Sequence, residues 1–124
     1  MNPAGNILVI DDDPDIGSML KMILEYKGYN AEVSENGEKA LELLKGRDFD
    51  LVIMDMLLSG VNGTDLCKRI RQERALDHIP VMMISAHPNA RELCLKAGAD
   101  DFILKPFDMN EILHKLKGLL QKIH

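Results

Sequence analysis

Short apolar runs alternate with amphipathic stretches along all 124 residues, the pattern of strands and helices taking turns around a parallel sheet. Ile7-Leu8-Val9-Ile10 predicts a first strand over about Asn6–Ile10. Asp13 then reads as an N-cap with Pro14 at the first helical position, and Ile16, Met19, Leu20, Ile23 and Leu24 recur at helical spacing until Gly28. Ala31–Ser34 is a weaker, more polar strand suited to a sheet edge. Asn36-Gly37 turns into a helix carrying Ala40, Leu41 and Leu44. A third strand, Leu51–Asp55, is followed by a loop, Leu58-Ser59-Gly60-Val61-Asn62-Gly63, with the Gly and Asn that turns require. A helix over about Thr64–Glu73 turns Leu66, Cys67 and Ile70 inward. Pro80 opens a fourth strand ending at Ser85, and Pro88 and Asn89 start a short helix through Lys96, capped by Gly98. A fifth strand covers about Asp101–Leu104. Asp108 with Glu111 forms an acidic variant of the capping box, ahead of a helix whose apolar face holds Ile112, Leu116, Leu119, Leu120 and Ile123. Five such repeats predict an α/β fold: a doubly wound, five-stranded parallel sheet with helices on both faces.

Composition narrows the class. With 46% apolar and 28% charged residues, the chain reads as one globular domain spanning 1–124, without linker, internal repeat or low-complexity segment. A net charge of −5 argues against a nucleic-acid-binding face, which needs clustered Lys and Arg. No stretch approaches the roughly 20 apolar residues of a membrane span, and Met1–Asn6 does not read as a signal peptide. Cys67 and Cys94 fall in separate helices without CxxC spacing, so both read as reduced thiols of a cytoplasmic protein.

The strand ends carry the chemistry. The first apolar run stops at Asp11-Asp12-Asp13 and the third at Asp55, which gathers negative charge at the carboxyl edge of the sheet. A hard divalent cation with oxygen ligands answers that repulsion. The fourth run stops at Ser85 and the fifth at Lys105. Carboxylates, a hydroxyl and an ammonium on four strand ends make a phosphoryl-handling site, where ligands of such folds sit.

These residues also carry a resemblance, running from the first strand to the last helix. Ile7-Leu8-Val9-Ile10-Asp11-Asp12-Asp13-Pro14, Asp50-Leu51-Val52-Ile53-Met54-Asp55, Ser85-Ala86 and Gly98-Ala99-Asp100-Asp101-Phe102-Ile103-Leu104-Lys105-Pro106-Phe107 resemble, in that order, the receiver domain of two-component response regulators. The resemblance implies a flavodoxin-like fold and Asp55 as phosphoacceptor. It implies Mg²⁺ held by Asp11, Asp12, Asp55 and the backbone carbonyl of Leu57. Ser85 and the Ala86 amide would contact the phosphoryl group, Lys105 would pair with it ahead of a cis Lys105–Pro106 bond, and Phe102 would be the switch aromatic, turning inward on phosphorylation. The implied partners are a sensor histidine kinase or histidine phosphotransfer protein upstream and a protein target or linked output domain downstream. Direct nucleic-acid contact and membrane insertion are not expected, and the chain would be a monomer or weak homodimer. It would assist phosphoryl transfer onto and off its own aspartate without being a turnover enzyme. The chain ends with the last helix of the domain, which fits a free-standing regulator or a receiver excised from a longer protein. Two departures stand out. Leu58-Ser59 replaces the family's usual Met-Pro, leaving the loop less pre-organised, and the stretch from Ser85 to Lys105 is short, which reduces or displaces its helix.

Taken singly, these residues have plainer roles. Asp13 reads as a cap rather than a ligand, Ser85 as a turn residue and Phe102 as ordinary packing. His78, His87, His114 and His124 lack metal-ligand spacing and read as solvated, His87 at the border of the site. Lys115, Lys117 and Lys122 read as the wet face of the last helix. Asp11-x-Asp13 also resembles the nucleophile motif of haloacid-dehalogenase-type phosphatases, with Asp11 attacking and Asp13 as general acid, but this leaves Asp55 unexplained. A receiver-like module that binds partners without phosphorylation is a further alternative, opposed by the complete acidic set with Lys105. Neither a G-x-G-x-x-G nor a Walker loop supports nucleotide or flavin binding.

Overall fold

The structure is a computed structural model that describes residues 5–58 and 61–121. Its main sheet holds β1 (Asn6–Ile10), β2 (Asn30–Ser34), β3 (Leu51–Asp55), β4 (Val81–Ser85) and β5 (Asp101–Leu104), all parallel and ordered β2-β1-β3-β4-β5. The helices are α1 (Pro14–Tyr26), α2 (Gly37–Gly46), α3 (Gly63–Gln72), α4 (Ala90–Lys96) and α5 (Met109–Gln121).

Strand alternation sorts the apolar residues into two cores. Ile7, Val9, Leu51, Ile53, Met82, Ile84 and Ile103 pack under α1 and α5, against Leu20, Leu24, Ile112 and Leu116. Leu8, Ile10, Val52, Met54, Val81, Met83 and Phe102 face α2, α3 and α4, against Leu41, Leu66 and Ile70. Strands covered on both faces need apolar residues at every position: β3 and β4 are buried throughout, whereas β2 at the edge is only partly buried. Cys67 and Cys94 are free and buried, and burial pushes the Cys67 thiol up to about 11.

The helix boundaries follow their caps. The Asp13 side chain accepts the Asp15 N–H at 2.9 Å to open α1, Asn36 accepts the Glu38 N–H at 2.9 Å to open α2, and Asp108 accepts the Glu111 N–H at 2.7 Å ahead of α5. Gly28 and Gly98 follow α1 and α4 with positive φ, 94° and 109°, where a side chain would be strained. Three details differ from expectation. α3 begins at Gly63, with Asn62 as its cap. Leu57–Leu58 and Val61–Asn62 form a small antiparallel ladder rather than an open loop. Pro88 and Asn89 precede α4, whose seven residues begin at Ala90 with Asn89 at the cap position. Ser59, Gly60, Lys122, Ile123 and His124 lie outside the described residues.

From β1 the chain moves outward to β2, then returns past β1 to β3. The order reverses between β1 and β3, and the crevice at such a switch point is where doubly wound sheets hold ligands.

Candidate functional site

Each strand that ends at the switch point delivers one polar side chain there. β1 runs one residue further through the Asp11 N–H, which bonds the Ser34 carbonyl at 3.1 Å. This fixes Asp11 at the sheet edge with 1% of its surface exposed. Its Oδ1 accepts the Asp13 N–H at 2.9 Å. Its Oδ2 is buried without a hydrogen-bond partner. Burial, opposed by the Asp13 N–H and reinforced by the charge of Asp55, raises the Asp11 carboxyl to about 6. Asp12 is half-buried beside it.

Asp55 ends β3 with 7% exposure. The backbone holds it on both flanks: the Met56 N–H bonds the Ile84 carbonyl at 2.9 Å, and the Gly63 N–H bonds the Met56 carbonyl at 2.8 Å. The Leu57 N–H donates to Asp55 Oδ1 at 2.8 Å, and Lys105 Nζ donates to Oδ2 at 2.7 Å. Lys105 is aimed by its own backbone, whose N–H bonds the Ser85 carbonyl at 2.8 Å, and Lys105–Pro106 is cis.

Ser85 is buried at the end of β4, between the strands bearing Asp55 and Lys105, and its Oγ accepts the His87 N–H at 3.0 Å. Its hydroxyl hydrogen is still available to donate. Ala86 and the side chain of Leu57 are exposed. Phe102 differs from expectation in its starting place, since it is already buried in the core beneath α2, α3 and α4. His78, His87 and His114 are exposed, but His87 Nδ1 accepts the Asn89 N–H at 3.2 Å. Lys115, which the sequence places on the wet face, is half-buried, and its Nζ donates to Asp101 Oδ1 at 3.1 Å. Asp13 is spent on capping α1, which leaves the phosphatase alternative without its general acid.

The donor set fits a hard cation. A buried carboxylate oxygen without a partner is costly, and a cation is the group that completes it. Among the described residues no group of three His, Cys, Asp or Glu side chains forms a ready cage. An ion here would need backbone carbonyl and water as well, the mixed oxygen coordination that magnesium favours.

One contributor was missed in the sequence. Gly63 reads there as a turn glycine, but a β-carbon on it would lie 2.5 Å from the Asp55 carbonyl oxygen. Asn-Gly before a helix signals a turn and carries no sign of that approach.

Comparison with known proteins agrees with the geometry. The response regulator receiver domain model matches residues 7–117. The transcriptional regulatory protein CpxR of Escherichia coli K12 is 38% identical over 120 residues, covering 95% of this chain and 50% of CpxR. The chain spans about half the length of the curated relatives it matches. A candidate response regulator from Chloroflexus aurantiacus J-10-fl superposes with a TM-score of 0.93 at 34% identity, covering 97% of this chain and 99% of that one. The receiver domain of sensor histidine kinase PA1611 from Pseudomonas aeruginosa PAO1, solved with magnesium in its active-site cleft, has a TM-score of 0.88 at 25% identity. That match covers 94% of this chain and 98% of the other. This chain belongs to the response regulator receiver domain family, a family of two-component phosphorelay signalling.

Proposed function

We propose that this chain takes a phosphoryl group onto Asp55 from the phosphohistidine of a sensor histidine kinase or histidine phosphotransfer protein, with Mg²⁺ as cofactor. One observation carries the proposal: a buried carboxylate held by Lys105 beside a second buried carboxylate whose Oδ2 has no partner.

Asp11, Asp12, Asp55 and the Leu57 carbonyl would hold the metal. Bound there, Mg²⁺ supplies the positive charge that lets an anionic nucleophile meet an anionic phosphoryl group. The rest is positioning by the chain. The Leu57 N–H and Lys105 Nζ fix both oxygens of Asp55. One of those oxygens bonds to phosphorus as the phosphorus–nitrogen bond breaks, and the bonding pair leaves with the imidazole nitrogen. An ionised carboxylate needs no general base. The Lys105 ammonium balances charge on the transferred group, and the Ser85 hydroxyl and Ala86 N–H donate to its oxygens. Hydrolysis of the acyl phosphate resets Asp55, so the chain assists its own loading and unloading and turns over no external substrate.

Rearrangement of Ser85 and Ala86 towards those oxygens would be transmitted to β5 and α4, with Phe102 packing beneath as the switch aromatic. A protein target or a linked output domain would read that face. The net charge of −5 supports a domain without its own nucleic-acid surface, whatever a longer protein carries. Among the described residues no helix is long and apolar enough to cross a membrane. The unit proposed is a cytoplasmic receiver domain over 1–124, a monomer or weak homodimer.

The test is intact-protein mass spectrometry after incubation with Mg²⁺ and acetyl phosphate. A single phosphoryl adduct is expected, absent from Asp55→Asn and from the chelator control. An adduct that persists in Asp55→Asn and disappears in Asp11→Asn would overturn the assignment.

A further inference from the structure

Residues 56–58 and 61–63 form a narrow neck between β3 and α3. The neck is closed by the Gly63 N–H on the Met56 carbonyl at 2.8 Å. Inside it, Leu57 pairs with Asn62 and Leu58 with Val61. Asn62 fixes the far side by accepting the Thr64 N–H at 3.0 Å and the Thr64 hydroxyl at 2.7 Å, which starts α3. The near side is the end of β3, where Asp55 and Leu57 are joined through Asp55 Oδ1.

Only a residue without a side chain fits this closure. A β-carbon at Gly63 would meet the Asp55 carbonyl oxygen at 2.5 Å, the Met56 carbonyl oxygen at 2.8 Å and the Met56 Cα at 2.9 Å. All three are backbone atoms, so no rotamer change relieves the clash. Gly63 is not needed here for a left-handed conformation, since only Gly28 and Gly98 have positive φ among the described residues. Close approach is what excludes a side chain.

We propose that Gly63 is a positioning residue for the metal half of the site. By letting α3 seat against the Asp55–Met56 peptide, it sets the spacing of the Asp55 carboxylate and the Leu57 backbone. The inference rests on the proposed magnesium site and phosphoacceptor role of Asp55. A methyl group at position 63 must push the Asp55–Met56 peptide away and so degrade Mg²⁺ binding before it degrades the fold.

The experiment is calorimetric titration of the whole chain with Mg²⁺ alone, with thermal unfolding recorded on each variant. Gly63→Ala is expected to weaken Mg²⁺ binding about tenfold or more, the scale on which supporting contacts act. Adduct formation from acetyl phosphate should be slowed at low Mg²⁺ and largely restored at high Mg²⁺. Ile70→Val, which loosens the buried face of the same helix, should lower the unfolding temperature and keep wild-type Mg²⁺ affinity. Asn62→Ala frees the neck without added bulk and is expected to weaken Mg²⁺ about threefold, which keeps a test available if Gly63→Ala does not fold. Wild-type affinity in Asn62→Ala and in any folded Gly63→Ala overturns the inference. Wild-type protein that binds no Mg²⁺ and forms no adduct overturns the underlying proposal instead.

Discussion

The two ends of this sheet treat polar groups in opposite ways. At the amino-terminal ends of β4 and β5, Arg71 at the end of α3 gathers everything within reach. Its Nε donates to the Gly98 carbonyl at 2.9 Å, Nη1 to the carbonyls of Ile79 at 2.6 Å and Asp77 at 3.1 Å, and Nη2 to Asp100 Oδ2 at 2.8 Å. That same Asp100 oxygen takes the Val81 N–H at 2.8 Å. At the carboxyl ends, one buried oxygen of Asp11 has no hydrogen-bond partner, and the nearby lysine pairs with Asp55 instead. Satisfied polar groups hold a fold together, and unsatisfied ones bind ligands at the expense of stability. One end of the sheet is built as an anchor and the other as a receptor.

Removing the anchor should give the largest effect on stability. Arg71→Met strips partners from three carbonyls and from Asp100, and is expected to cost about 2–4 kcal/mol. Urea unfolding followed by circular dichroism measures it. Adduct formation on the remaining folded protein should stay near the wild-type rate, because no bond of Arg71 reaches Asp55. A loss below the effect of an ordinary surface substitution would mean that the clamp is incidental.

Removing charge from the receptor should act in the other direction. The folded Asp11 carboxyl titrates at about 6 against 3.8 in the reference state. Between those values the folded chain binds more protons than the unfolded one, so stability falls as pH rises through this window and stays low above it. In metal-free buffer at pH 7, Asp11→Asn should therefore be more stable than wild type by about 2–3 kcal/mol. The falling limb between pH 4 and 6 should flatten in the variant, and Mg²⁺ binding should be lost. If Asp11→Asn is destabilised under these conditions, Asp11 is a structural residue and the contrast between the two ends fails.

The sequence was legible where chemistry coincides with the end of an apolar run. Asp11, Asp55, Ser85 and Lys105 each follow four or three apolar residues that had to be buried, so their place at the carboxyl edge followed from strand direction alone. Asp13-Pro14 marked the start of α1 for an equally local reason. The features that escaped depend on distant backbone. Arg71 bonds carbonyls whose positions exist only once β4 and β5 are side by side. Gly63 looks like any turn glycine until the Asp55 peptide lies against it. The ladder of Leu57–Leu58 with Val61–Asn62 is too short to have a period. Phe102 alternates correctly with Ile103, but nothing in that alternation tells whether its ring starts inside or outside.

Lys115 provides the smallest and finest test, because it lies between the two extremes. Its Nζ reaches Asp101 Oδ1 across the edge strand at 3.1 Å, with the two side chains 26% and 24% exposed. Solvent reaches both partners, so screening removes much of the Coulomb attraction. Asp101 Oδ1 also accepts the Phe102 N–H at 2.8 Å and keeps that bond when the lysine is gone. Lys115→Met preserves most of the aliphatic stem and should cost only about 0.5–1 kcal/mol, with Mg²⁺ binding unchanged. The loss should shrink in high salt, as a partly exposed ion pair requires, whereas most of the Arg71→Met loss should persist because three of its four hydrogen bonds are to backbone carbonyls. Equal salt sensitivity in the two variants would place the anchor and this edge pair in one electrostatic class, and the amino-terminal corner would then lose its distinction from the rest of the surface.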